Sequence, residues 1–142
     1  MAYVIGVCDY SHSDGLFKDL THPYNDCMEV IKFLKAINYT VKTNLDTNPE
    51  KKNPRLNADT AKTEIEAFIA AAKQALIYKK HAHYFIYYSG HGVIAKDSSE
   101  TCGVDSKGKL IPFESFSKSF SRISNTLSFF FLDCCRERLE LN

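Results

Sequence analysis

Two short, densely apolar runs each end in a residue able to do chemistry, and this pairing narrows the possible folds more than any other feature. The first is His83-Tyr84-Phe85-Ile86-Tyr87-Tyr88, followed by Ser89-Gly90-His91-Gly92. The second is Leu127-Ser128-Phe129-Phe130-Phe131-Leu132, followed by Asp133-Cys134-Cys135-Arg136. Runs rich in aromatic and β-branched residues, without a helical period, read as strands buried on both faces of a parallel sheet. Parallel neighbours bring their C-terminal ends to one edge, where open α/β sheets carry their chemistry. A thiol and an imidazole meeting there are the minimum parts of a cysteine nucleophile with its base.

The rest of the chain agrees with an alternating plan. Tyr3 to Cys8 predicts a first strand, and Asp9 to Leu20 a polar loop. Pro23 to Ile37 predicts a helix, with Cys27, Val30, Ile31 and Leu34 on one face and Pro23 in its first turn. Tyr39 to Leu45 reads as a more polar strand. Lys51 to Arg55 reads as a solvated, mobile loop with no role. Thr60 to Tyr78, rich in Ala, Lys, Glu and Gln, is a helix that Asp59 or Thr60 could cap. Asp105-Ser106-Lys107-Gly108-Lys109 predicts a small hairpin. Phe113, Phe116, Phe120 and Ile123 form the stripe of a short amphipathic helix before the last strand. Strands alternating with helices predict an α/β fold of three layers, a mainly parallel central sheet with helices on both faces.

Size and charge exclude several classes. A chain of 142 residues is one domain with room for a core. With 18 Lys and Arg against 17 Asp and Glu, neither nucleic acid nor an anionic membrane is expected as partner. No apolar run is long enough to cross a bilayer. Met1 to Gly6 lacks the basic start of a signal peptide. The five cysteines include an adjacent pair, and their odd number favours a reducing, cytoplasmic setting.

Tyr87-Tyr88-Ser89-Gly90-His91-Gly92 together with Phe130-Phe131-Leu132-Asp133-Cys134-Cys135-Arg136-Glu137-Arg138 resembles the caspase-like cysteine peptidases. Within them the chain looks most like the paracaspases, through its Asp-x-Cys-Arg-x-Arg ending, and next like the metacaspases, whose His-Ser-Gly after the cysteine it lacks. Tyr3-Val4-Ile5-Gly6 and Asn25-Asp26-Cys27 are similar to the family's first strand and first helix. The resemblance spans nearly the whole chain. It implies a cysteine-type endopeptidase working through an acyl-enzyme, with His91 as acid and base and Cys135, two residues after Asp133, as nucleophile. Strand alternation allows only one of Cys134 and Cys135 to face the histidine, and Cys134 is then a small buried filler. Cys8, Cys27 and Cys102 are expected to be structural. The resemblance also implies an oxyanion hole built from the amides of Gly92 and Cys135, each such donor being worth roughly 3–4 kcal/mol in a transition state. Asp133, Asp26 and Ser89 match the positions that line the S1 pocket. Two carboxylates there suit a basic P1 residue, Arg ahead of Lys because a guanidinium can pair bidentately with a carboxylate.

Two plainer readings of the acids stand beside this: Asp26 as a first-turn helix charge, and Asp133 as a strand terminator. A zinc site using His81 and His83 matches no usual ligand spacing. Asp97, Glu100 and Asp105 are too few for the calcium site that metacaspases often carry, so no metal or other cofactor is expected. After Cys135 the sequence runs only to Asn142. In the resembled family two more strands with helices follow. The expectation is therefore a large-subunit domain over residues 1–142, C-terminally incomplete, whose last strand is covered by a small-subunit partner or a second protomer. The alternative from another class is a catalytically inactive caspase-like module that binds or scaffolds partners. A legumain- or separase-like relative is a third reading.

Overall fold

The computed structural model describes residues 1–46, 48 and 50–134. Four parallel strands form the central sheet: β1 (Ala2–Gly6), β2 (Val41–Thr43), β3 (Ala82–Ser89) and β7 (Thr126–Asp133), in the order β2-β1-β3-β7. The helix α1 (His22–Ala36) covers one face. The helices α2 (Ala58–Ile77) and α3 (Phe113–Ser121) cover the other. A second, antiparallel sheet of β4 (Gly92–Ile94), β5 (Thr101–Val104) and β6 (Leu110–Ile111) lies between β3 and α3 in the chain. The three-layer α/β architecture is the one the alternating pattern predicts.

Period-two alternation divides the core. Tyr3, Ile5, Val7, Tyr84, Ile86 and Tyr88 point to the α2/α3 side. Ala2, Val4, Cys8, Phe85 and Tyr87 point to the α1 side. Pro23, Tyr24, Cys27, Ile31 and Leu34 of α1 meet the second set. Ala58, Ala61, Ile65, Phe68 and Ala72 of α2 meet the first, three alanines beside two large side chains. The connection from β1 leads by α1 to β2, whereas the chain leaving β3 heads the opposite way to β7. The C-terminal ends of β1 and β3 therefore form a switch point, the crevice where loops diverge and a site can open.

Several local expectations need correcting. Asn57, not Asp59 or Thr60, caps α2, its side chain accepting from the amides of Asp59 and Thr60 at 2.9 and 3.2 Å. An extended Asn one residue before the helix reaches both orphan amides, which the two residues inside the first turn cannot do. The short strand β4 went unforeseen because three residues carry no periodic signal. The β5–β6 turn is the expected hairpin, with Gly108 at φ +88°, a left-handed position that suits glycine. Asp105 is not a loop charge but the turn's organiser: it is buried, and its carboxylate accepts from the amides of Lys107, Lys109 and Ala58.

The loop holding Arg55 has a role after all. Pro54 O accepts from the amides of Cys8 and Asp9, and the Arg55 guanidinium pairs with the buried Asp9 carboxylate. Finally, β7 is not buried on both faces. It is the sheet's edge strand, and Leu127, Phe129 and Phe131 are 49%, 40% and 54% exposed, while Phe130 and Leu132 pack inward against the core. Its apolar composition belongs to an interior strand, yet among the described residues one lateral edge and one face are open.

Candidate active site

His91 is the second residue of a two-residue link, Gly90-His91, between β3 and β4. Its imidazole is wedged between the rings of Tyr10 and Phe17, with centroids 4.6 and 5.2 Å away. Nε2 lies 2.7 Å from the carbonyl oxygen of Lys18. A carbonyl only accepts, so Nε2 carries the hydrogen and the neutral ring keeps its lone pair on Nδ1. The loop between β1 and α1 thus fixes the tautomer and the ring plane of the imidazole. That loop is itself pinned. Leu20 N donates to Cys8 O, Tyr10 N to Asp19 Oδ1, and Asp9 accepts from the amide and hydroxyl of Ser11 and from Arg55. These partners, Ser11 first, hold the Asp9 carboxyl down at about 2 against the opposing effect of burial.

Gly92 opens β4, is buried, and pairs in register with Gly103 of β5. Gly90 needs to be glycine: a Cβ there would lie 2.6 Å from both the Tyr10 and the Tyr88 hydroxyl oxygens.

The acidic residues converge on the α1 side of the same rim. Register places Asp133, the last residue of β7, beside Ser89, the last residue of β3. Tyr87 donates to Asp133 Oδ2 at 3.0 Å. Asp26, half-buried on α1, stands close enough that Asp26 and Asp133 both raise the pKa of the Cys27 thiol and of the Tyr87 phenol, after the larger effect of burial. Asp26 lies in the second turn of α1, so the reading of it as a first-turn helix charge fails. Asp133 is exposed, whereas Ser89 is fully buried and its Oγ has no hydrogen-bond partner among the described residues.

Cys134 packs half-buried against the α2/α3-side core and sits near enough to the Tyr10 and Tyr88 hydroxyls to influence both. Cys8, Cys27 and Cys102 are buried thiols, as their expected structural role requires. Cys135, and with it one half of the expected dyad and of the oxyanion hole, lies outside the described residues.

The sequence reading missed Tyr10, Phe17, the Lys18 carbonyl and the Tyr87–Asp133 contact. Two aromatics inside an otherwise polar loop were the one available signal. Backbone atoms such as Lys18 O leave no trace in a sequence. Among the described residues no three His, Cys, Asp or Glu side chains group closely enough to hold a metal ion. Glu100 instead accepts from the amide of Ser115. Among the described residues no helix is long and apolar enough to cross a membrane.

The fold recurs in a solved structure. The chain is similar to the crystal structure of protein GSU0716 from Geobacter sulfurreducens, at a TM-score of 0.66 and 19% identity, over 98% of this chain and 51% of that one. It therefore spans about half the length of that neighbour. A search among curated proteins gives no significant match. The family model for the caspase domain matches residues 1–142. With that match over its whole length, and with the sheet, helices and rim that such a domain needs, the chain belongs to the caspase family of cysteine peptidases.

Proposed function

We propose that this chain is a cysteine-type endopeptidase that cleaves proteins after basic residues, Arg ahead of Lys, with Cys135 as nucleophile and His91 as its acid and base. The observation that carries the reading is the division of labour at one rim. An imidazole whose tautomer is set by Lys18 O stands on one side, and two carboxylates, Asp26 and Asp133, converge on the other. The first suits proton transfer and the second suits a guanidinium or ammonium.

In the proposed reaction the Cys135 thiol gives its proton to Nδ1 of His91, and the sulfur bonds to the scissile carbonyl carbon. The oxyanion is met by the amides of Gly92 and Cys135. As the C–N bond breaks, the imidazolium returns the proton to the leaving amine, and a thioester remains. Water then loses a proton to His91, its oxygen attacks the thioester, and Cys135 departs with that proton while the new carboxyl product is released. Asp133 and Asp26 face the basic P1 side chain, and Ser89 forms the floor between the strand ends.

We further propose that residues 1–142 are the large-subunit portion of the enzyme, and that a small-subunit segment or a second protomer covers β7. The exposed Leu127, Phe129 and Phe131 support this, since apolar side chains along an open strand edge invite pairing. A reducing, cytoplasmic setting fits the four free thiols at Cys8, Cys27, Cys102 and Cys134.

The test is a panel of fluorogenic peptides differing only at P1. Turnover after Arg, slower turnover after Lys and none after Asp is the expected result, abolished by Cys135→Ala. Turnover after Asp would overturn the specificity. A folded chain whose Cys135 ignores an arginyl chloromethylketone would replace the enzyme by an inactive interaction module.

A further inference from the structure

The link that carries His91 is two residues long and makes no helix or ladder of its own, so something else must hold it. Both backbone hydrogen-bonding groups of His91 reach buried phenols, while Gly90 N lies 3.5 Å from Asp133 O. His91 N donates to the Tyr10 hydroxyl at 2.8 Å, and the Tyr88 hydroxyl donates to His91 O at 2.6 Å. We infer that Tyr10 and Tyr88 are positioning residues of this site: a pair of buried hydroxyls that grips the amide and the carbonyl of His91, and so fixes the imidazole and the Gly92 amide that follows it.

Hydrogen counting supports a closed arrangement. Each phenol has one hydrogen and can accept more than one. Tyr88 has two carbonyls in reach of its single hydrogen, His91 O at 2.6 Å and Val104 O at 2.9 Å, of which His91 O is the nearer, and it accepts from Val104 N at 3.0 Å. Tyr10 accepts from His91 N, and its hydrogen can go to Tyr88 Oη at 3.3 Å or to Val104 O at 3.4 Å. Val104 N also lies 3.2 Å from His91 O, so β5 is drawn into the same knot. The two rings are 1% and 0% exposed, and water cannot stand in for a lost hydroxyl. Tyr10 acts twice, because its ring also forms one wall of the slot holding the imidazole. Tyr88 comes from the core side of β3 and Tyr10 from the loop after β1, so the clamp joins both strands of the switch point to the histidine. The missing side chain at Gly90 is explained by the same hydroxyls, which occupy the space a Cβ would need.

The catalytic consequence rests on the endopeptidase reading above; the structural one does not. Tyr10→Phe and Tyr88→Phe keep the ring packing and remove only the grip. Each should lower kcat roughly ten- to a hundredfold, as small displacements of a catalytic group do, with KM changed less than about twofold, and should shift the acid limb of the pH–rate profile. Variants that lose only thermal stability, with kcat and the acid limb unchanged, would overturn the inference. In case the variants do not fold, amide hydrogen exchange in the unaltered chain is decisive. His91 N–H should exchange as slowly as the amides of β3, and exchange at the rate of an open loop would overturn the clamp. If no peptide is cleaved but the His91 amide is protected and Tyr10→Phe moves the NMR titration of the His91 ring, the clamp stands and the peptidase reading alone falls.

Discussion

The two sides of the rim at the ends of β3 and β7 are held in opposite ways. On the histidine side the contacts that hold His91 directly to Lys18 O, Tyr10 and Tyr88 run from 2.6 to 2.8 Å and are backed by packing. Lys18 O holds Nε2, two phenols hold the backbone, two rings flank the imidazole, and Asp9 with Arg55 anchors the loop behind them. On the acid side Asp133 is exposed and held by one hydroxyl, Asp26 is half-buried, and the Ser89 hydroxyl has no partner among the described residues. A proton-transfer group must be fixed to a fraction of an ångström before the substrate arrives. A carboxylate pair that recognises a long, flexible cation can stay loose, because the ligand itself supplies the missing order.

The contrast predicts graded responses. Gly90→Ala should be the most damaging, costing about 2–4 kcal/mol because a new methyl collides with two buried hydroxyls that have nowhere to go. Chemical denaturation reads this directly, and a cost under about 0.5 kcal/mol would show the histidine side to be soft. Asp133→Asn should cost less stability but lower kcat/KM for Arg substrates by roughly ten- to a hundredfold, the loss of one charge-assisted pair. Rates for an uncharged P1, however poor, should hardly move. Equal losses for both substrates would mean that Asp133 orders the strand end and does not recognise charge.

Arg55→Ala comes third, at about 1–2 kcal/mol, since it strips a partner from a buried carboxylate, and the exposure of the arginine itself moderates the effect. The Asp9 pKa is depressed to about 2 in the fold, against about 3.9 in an unfolded chain. Its contribution is therefore complete above the unfolded value and disappears as the pH falls towards about 2. Asp9→Asn should flatten stability over that interval, and an unchanged acid profile would refute the assignment. The smallest effect on stability is expected at the β7 edge, where Phe131→Ser should change unfolding by less than about 0.5 kcal/mol because the side chain is already 54% exposed. The same change should reduce self-association in sedimentation, and undiminished association would move the partner surface elsewhere.

Much of this arrangement could be read from the sequence, and the limits are physical. A helical period marks α1, because it buries one face at a spacing that its own residues repeat, and helix-favouring composition marks α2, whereas β1, β3 and β7 are legible as short apolar runs without that period. The Gly-His-Gly and Asp-Cys-Cys motifs pointed to the rim because a strand's end is legible from the run that precedes it. The cap at Asn57 and the buried role of Asp105 went unforeseen and the loop of Arg55 was misjudged, because a polar loop residue looks solvated until the group it serves is known, here α2's own first turn, the Ala58 amide and Asp9. The Tyr10–His91 contact joins residues eighty-one positions apart, and no local pattern encodes it. The choice of Cys135 over Cys134 rests on the family pattern, since Cys135 lies outside the described residues.

The strand order has a kinetic side. β1 lies between β2 and β3, and its partner on the β3 side begins with Ala2 against Phe85. A chain emerging from the ribosome cannot complete the middle of this sheet until residues 82–89 have been made, and the helices α1 and α2 wait until then with part of their apolar faces uncovered. Pairings between such remote segments slow refolding into the millisecond-to-second range. Aggregation therefore competes hardest in that interval, before β3 arrives, and cooler expression or chaperone capacity should improve yield more than any surface substitution.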